Sequence, residues 1–212
     1  MSRHRLVLVS LTGLLGLSAL VALALALVGP GRGDPQASPS SPYTGSTPPD
    51  GITLPSFALR DERGALVSSQ SVQGKVVLLT FLSAPCREAC PLLGEITARA
   101  LDELAPAERR RVTALGLSVN PRADTPAARR AFLARHRAEG RLRYLSGTSD
   151  ELFPLWRELG VLAVAASGDA DVHSAPLRLY GAGGTWVATL NPGVDLTVDN
   201  LVHDLRVALA AG

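Results

Sequence analysis

Methionine is missing after Met1, cysteine occurs twice, lysine once, and aromatic residues make up only 4% of the 212-residue chain. Each scarcity closes off a class. Two cysteines in this length cannot staple a disulfide scaffold. Lysine and arginine total 21 against 19 acidic residues, a formal net charge of +2, and no basic run occurs in the body of the chain. Phosphate contact needs a concentrated basic patch, so a nucleic-acid partner is not expected. With Lys75 the single lysine, the surplus of arginine and alanine is a compositional bias without functional weight. A hydrophobic content of 46% excludes a wholly disordered chain. At about 100–200 residues per domain, the length fits one globular domain with extra segments.

What is present begins with a long apolar run. Leu6 to Val28 reads LVLVSLTGLLGLSALVALALALV, uncharged and interrupted only by Ser, Thr and Gly. As a helix it would reach about 34 Å, enough to cross a bilayer core. Arg3, His4 and Arg5 precede it, which predicts a cytoplasmic N-terminus, an exported body and a single-pass protein of the cell membrane. The rival reading is a cleaved signal peptide, with Ala22-Leu23-Ala24 or Ala24-Leu25-Ala26 as the cleavage site, although such peptides carry an apolar core of only about 7–15 residues. Gly29 to Gly51 (GPGRGDPQASPSSPYTGSTPPDG) is dominated by Pro, Gly and Ser and shows no apolar periodicity, as expected of a linker. The chain therefore divides into 1–28, basic flank and transmembrane anchor; 29–50, linker; and 51–212, folded domain.

Within that domain, 57–59 and 65–67 flank a polar turn and read as a hairpin. Residues 75–82 (KVVLLTFL) are a continuous apolar run, the mark of a central strand buried on both faces. A helix follows from Pro91 to Leu104, with Leu92, Ile96, Ala100 and Leu104 as its apolar positions. Residues 112–119 form a second strand. Asp124-Thr125-Pro126 opens a helix to about Ala138 as a cap followed by proline. Residues 142–145 are a short strand, and Thr148 to Glu151 looks like a capping box before a helix that ends at Gly160. Residues 177–180 and 185–190 form a second hairpin, whose strand joins the sheet beside 75–82, and the last helix covers about 197–210. This alternation predicts an α/β architecture around a mixed sheet.

Cys86 and Cys90 fall where the buried strand gives way to the helix. A spacing of four puts both sulfurs on one helical face, within reach of a disulfide. The helix N-terminus favours thiolate over thiol, and thiolate is the form that both disulfide exchange and soft-metal binding require. A purely structural bridge is the blander reading, but a loop with three intervening residues constrains the unfolded chain little. Of the four histidines, His4 belongs to the membrane flank, while His136 and His203 read as solvated helix-surface residues. His173 differs: it follows the Gly168-Asp169-Ala170-Asp171 loop and precedes the hairpin strand that should lie beside the cysteine-bearing strand.

Three segments together resemble the Sco (SenC) family. Cys86-x-x-x-Cys90-Pro91 after an apolar strand is similar to the family's Cys-Pro-x-x-Cys-Pro signature. Residues 118–126 (SVNPRADTP) look like its Ser-Val-Asp-Pro-x-x-Asp-Thr-Pro segment. Val172-His173-Ser174, followed by 177–180 and Gly184, resembles its Asp-His-Ser strand and turn. The resemblance covers most of 52–212. It implies a thioredoxin-like copper protein of cytochrome c oxidase assembly, with copper held by Cys86, Cys90 and His173 and delivered to the binuclear centre of oxidase subunit II. Two thiolates and an imidazole suit Cu(I), and an added oxygen or nitrogen ligand would suit Cu(II). The lack of methionine excludes a methionine-rich copper relay.

The chain departs from that pattern in places. Arg87 stands where the family has proline and should lower the thiol pKa further. Asn120 replaces an aspartate. Asp171, the acidic residue near His173, is displaced by two positions as a partner for the imidazole. Pro176 stands where the family has an aromatic or aliphatic residue, as though equivalent to the cis-proline of thioredoxin-fold redox enzymes.

Two functions therefore compete. A metallochaperone passes copper on by ligand exchange. A thiol–disulfide oxidoreductase would use one cysteine to attack a partner disulfide and the other to resolve the mixed disulfide, with the oxidase subunit's own cysteines as a candidate client. By analogy Cys86 is the attacking thiol. A copper or redox sensor is a third reading, and a peroxidase a weaker fourth resting on Ser83. His173 discriminates, since metal binding needs it and disulfide exchange does not. Copper delivery is the expected role.

Overall fold

The computed structural model describes residues 41–161 and 176–212. The apolar run over 6–28 and the segment carrying Asp171 and His173 lie outside the described residues. Among the described residues, no helix is long and apolar enough to cross a membrane.

A small antiparallel hairpin comes first, β1 (Ala58–Arg60) and β2 (Leu66–Ser68). The main sheet is built from β3 (Val76–Leu82), β4 (Val112–Ser118), β5 (Leu142–Leu145), β6 (Leu177–Tyr180) and β7 (Trp186–Leu190), in the order β5-β4-β3-β6-β7. β3 runs parallel to β4 and β4 to β5, whereas β6 pairs antiparallel with both β3 and β7. β3 sits at the centre with all seven residues buried, as its unbroken apolar sequence predicts. Removing side chains such as Leu78, Phe81 and Leu82 from water contributes about 1.5–3 kcal/mol each. Gly116 of β4 is demanded by this packing: a Cβ there would stand 2.3 Å from Leu82 Cδ1.

Both edges of the sheet are covered, which removes the unpaired strand edges that invite aggregation. On the β5 side, Arg60 and Ser146 exchange backbone hydrogen bonds of 3.2 and 2.9 Å. The turn between β1 and β2, polar in sequence, is buried at two carboxylates. Glu62 accepts the Tyr144 amide at 3.1 Å, and Asp61 accepts Arg143 Nη2 at 2.7 Å. On the β7 side, Ser46 pairs with Thr189, and Ile52 and Leu54 bond to the β7 strand and its turn. Residues 43–46 are on the linker side of the sequence-based boundary, yet they dock on the domain. The buried Asp204 carboxylate accepts the Thr44 amide at 2.7 Å, the Thr44 hydroxyl at 2.9 Å and the Gly45 amide at 3.0 Å. Composition marks such a strap as linker because its bonds are made by backbone, which composition does not record.

The helices are α1 (Ala89–Glu103), α2 (Pro106–Arg110), α3 (Pro126–Arg135), α4 (Ser149–Glu158) and α5 (Val198–Ala210). α1 packs on α5. α1 starts two residues before Pro91, which occupies the first turn, where a missing N–H is harmless. Its buried face is Cys90, Leu93, Thr97, Ala98, Ala100 and Leu101, while Leu92 is 44% exposed. The run Leu92, Ile96, Ala100, Leu104 had been expected to form that face. Ala100 and Leu104 are buried and Ile96 packs partly buried against the core, so only Leu92 departs, because steps of four drift by about 40° each and carry the first residue to the rim of the face. α4 opens with the expected capping box: Thr148 Oγ1 accepts the Glu151 amide at 3.3 Å, and Glu151 Oε2 accepts the Thr148 amide at 2.7 Å. The helix ends in Gly160 at φ +69, the left-handed terminator that glycine adopts without strain.

Candidate metal centre

β3 and β4 run in register to Leu82 opposite Ser118, so both strands deliver their following loops to one end of the sheet. After Leu82 the chain turns sharply. The Cys86 amide donates to the Ser83 carbonyl at 3.0 Å, closing the loop that presents the first thiol. Of the two cysteines only Cys90 lies within α1; Cys86 precedes the helix by three residues. The pair therefore does not share a helical face, as the spacing alone had implied. Cys86 acts instead as an acceptor at the helix start, its Sγ receiving the Cys90 amide at 3.4 Å. Both side chains are free thiols, 5% and 4% exposed.

The two sulfurs are not equivalent. The hydrogen bond to Cys86 holds the Cys90 proton most strongly, burial adds to it, and the Cys90 thiol is pushed far above the ordinary thiol range. The expected depression of thiol pKa by the helix N-terminus and Arg87 is thus overturned at Cys90. The bond to Cys86 and then burial set the direction there.

Beneath the loop sits a residue that the sequence had placed in a cap. Asp124 is 2% exposed; Oδ1 accepts the Ala84 amide at 2.7 Å and Oδ2 accepts the Ser118 hydroxyl at 2.6 Å. The helix cap is Thr125 alone, whose Oγ1 accepts the Ala128 amide at 3.2 Å, with Pro126 in the first turn. Asp124 is instead a brace between the cysteine loop and the end of β4. Burial raises its carboxyl above the ordinary range, against the pull of the Ser118 and Ala84 bonds. Burial and then the Asp124 charge hold Tyr144 beside it protonated. The signal in the sequence was a serine ending an apolar strand with an aspartate six residues on, but a neighbouring Thr-Pro explained that aspartate more cheaply.

The other site candidates distribute as follows. His136 was read as solvated, yet it is 8% exposed, stacked 4.6 Å from the Phe132 ring and 3.0 Å from Glu95 Oε1. α3 ends there, and the last turn folds under α1. His203 keeps half of its side chain exposed and pairs with Asp204 at 3.0 Å. His173 and Asp171 lie outside the described residues. The chain re-enters at Pro176, whose carbonyl accepts the Thr80 hydroxyl of β3 at 3.3 Å; the Ala175–Pro176 bond itself begins outside them. Among the described residues no group of three or more His, Cys, Asp or Glu gathers around a metal position. Two adjacent sulfurs are nonetheless the donor type that a soft ion selects. Beside Cys86 a groove of about 600 Å³ runs between the start of α1 and the end of α3, with Pro85, Arg87, Phe132, Arg135 and His136 on its walls.

Comparison with known proteins bears on this arrangement. The family model described as SCO1/SenC matches residues 46–210. A Stutzerimonas stutzeri protein whose name proposes copper binding is 28% identical over 136 residues, which is 62% of this chain and 66% of that one, just under two thirds of its length. The structure of BsSco, a member of the Sco family of cytochrome c oxidase assembly proteins in which a disulfide switch was identified, is 22% identical. It superimposes with a TM-score of 0.61 over 79% of this chain and 99% of that one. Copper-bound ScoI of Bradyrhizobium japonicum is 24% identical, with a TM-score of 0.58 over 74% of this chain and 99% of that one. At these identities the structures speak for the fold, and they bear out the thioredoxin-like α/β architecture of the described domain.

Proposed function

The chain belongs to the SCO1/SenC family, and on that premise we propose that it is a copper-binding protein of cytochrome c oxidase assembly, tethered to the cell membrane by residues 6–28. Copper is its cargo. Cys86, Cys90 and His173 take up the ion, and ligand exchange hands it to the binuclear centre of oxidase subunit II. The observation that carries this reading is the pair of buried free thiols just beyond the central strand, with the Cys90 backbone amide donating to Cys86 Sγ at 3.4 Å. A bridge for stability alone has no need of that position, because it closes a loop of three residues. The soft sulfurs favour Cu(I), and their burial keeps water from the ion.

The inequality of the thiols favours a second reading, thiol–disulfide exchange. Cys86 would attack a partner disulfide, and Cys90, held protonated until then, would resolve the mixed disulfide. Copper stoichiometry separates the two. The full chain in detergent micelles, reduced without oxygen, is titrated with Cu(I) beside His173→Ala and Cys90→Ser. One tightly held copper, lost or greatly weakened in both variants, is the expected result. No tight copper in the unmodified chain, with rapid disulfide exchange, would leave a membrane-tethered thiol reductase.

A further inference from the structure

The groove beside Cys86 has a charge character that the metal chemistry does not use. Its floor is made of small side chains, Ala84, Ala123, Ala128 and Ala131, closed at the base by the Phe132 ring. Its charged walls are Arg87, Arg135 and His136, and among the described residues no carboxylate lines it. His136 is engaged by Glu95 Oε1 at 3.0 Å, and the fixed positive charges on the described lining of the groove are those of the two arginines. Arg135 makes no ion pair or hydrogen bond with any described residue, and both arginines are exposed. The groove is continuous with the reactive site, because Cys86 is part of its wall.

We propose that this groove is the docking site for an extended acidic segment of the client, which lies along α3 and brings its own cysteine to Cys86. The inference rests on the functional reading above in one respect only, that Cys86 meets a client thiol or disulfide. The space suits this occupant. About 600 Å³ is the size of an ordinary ligand cleft, and an alanine floor lets a backbone approach closely. Two cations beside a buried thiol steer carboxylates toward it and repel basic chains, an effect that works mainly on the rate of encounter and weakens with salt. Leu92, 44% exposed just beyond Pro91, adds an apolar contact at the α1 end.

The test is a rate comparison on the reduced full chain in detergent micelles. Two pentapeptide probes carry a central cysteine as the mixed disulfide with thiopyridine, one flanked by aspartate and glutamate, the other by lysine. In each turnover a thiolate of the chain attacks the probe disulfide. Either the thiopyridine or the peptide leaves as thiol, and the second cysteine displaces the other. The chain's dithiol is thereby oxidised to a disulfide while the probe disulfide is reduced to two thiols. At low salt the acidic probe should react about ten-fold faster than the basic one, and the ratio should approach one at high salt. Arg135→Glu should abolish or reverse the preference, read as the ratio of the acidic to the basic probe rate so that any change common to both cancels. Equal rates for the two probes, or a preference that Arg135→Glu leaves intact, overturns the proposal. Cu(I) stoichiometry on the same samples keeps the two readings apart. Loss of the probe preference with one copper still bound refutes the groove alone, whereas a chain that binds no copper yet discriminates the probes refutes copper delivery alone.

Discussion

Replacing Asp124 by alanine removes the brace under the cysteine loop, and the cost can be worked from its two bonds. The Ser118 hydroxyl, fully buried, loses its acceptor, and the half-buried Ala84 amide loses a 2.7 Å bond that water recovers in part. An orphaned buried donor costs about 1–3 kcal/mol and the lost Ala84 bond about 0.5–1.5 kcal/mol, and relief from keeping a desolvated carboxylate offsets some of this, so a net loss of about 1–3 kcal/mol is expected. Asp124→Asn keeps an acceptor for Ala84 and should lose about 1 kcal/mol. Denaturant unfolding at unchanged slope measures the change, and hydrogen exchange at the Ala84 amide locates it. The pH dependence has a definite sign. The folded carboxyl titrates above its unfolded value, so the folded chain holds more protons between the two values. The Asp124 contribution is complete below the ordinary carboxylate range and is lost as pH rises through the raised value. Asp124→Asn lacks that decline, and its deficit against the unmodified chain should be widest in acid and shrink toward neutrality. An Asp124→Ala chain within 0.5 kcal/mol of the unmodified protein, taken as roughly the scatter of neutral surface changes, or with Ala84 exchange unaltered, would refute the brace.

Gly116→Ala should destabilise the domain by about 1–3 kcal/mol, because its Cβ would sit 2.3 Å from Leu82 Cδ1 between two buried strands; an unchanged unfolding midpoint would show that the strands relax freely. Asp204→Ala should cost about 2–4 kcal/mol and release the strap, visible as faster exchange at the Ser46 and Thr189 amides, which bond to each other's carbonyls at 2.8 and 2.9 Å. Exchange as slow as before would mean that the strap is held by something other than the carboxylate. Oxidation of Cys86 and Cys90 to a disulfide should abolish copper loading, read as bound copper after desalting, since both thiolate donors are consumed. Equal copper on the oxidised and reduced chains would rule these thiols out as ligands.

Much of the fold was legible because the elements near the site carry strong local signals. The run at 76–82 is apolar at every position but Thr80, which only a strand buried on both faces accommodates, and its centre in the sheet follows. The capping box at Thr148 and the cap-proline pair at Thr125 and Pro126 announce helices through bonds made within four residues. The positions whose roles the local pattern did not disclose share another property, that their partners are distant in sequence. Asp124 meets Ala84 forty residues back, Asp204 meets Thr44 across 160 residues, and Glu62 meets Tyr144 across 82. A carboxylate that answers to such partners looks like a cap or a solvated charge when its neighbours alone are consulted. His136 misled for the same reason, its burial depending on how the end of α3 meets α1.

The sequence by itself determined that a central strand would end at a pair of cysteines and that the strand following His173 would join the sheet beside it. Those outcomes depend on apolar pattern and on spacing along one stretch of chain. Tertiary structure alone decided which sulfur accepts the hydrogen bond, which carboxylate braces the loop, and that an arginine of the cysteine loop and one of α3 face one groove beside the thiol. Desolvation and long-range contact set these features, and both arise only when segments remote in the chain are packed against each other.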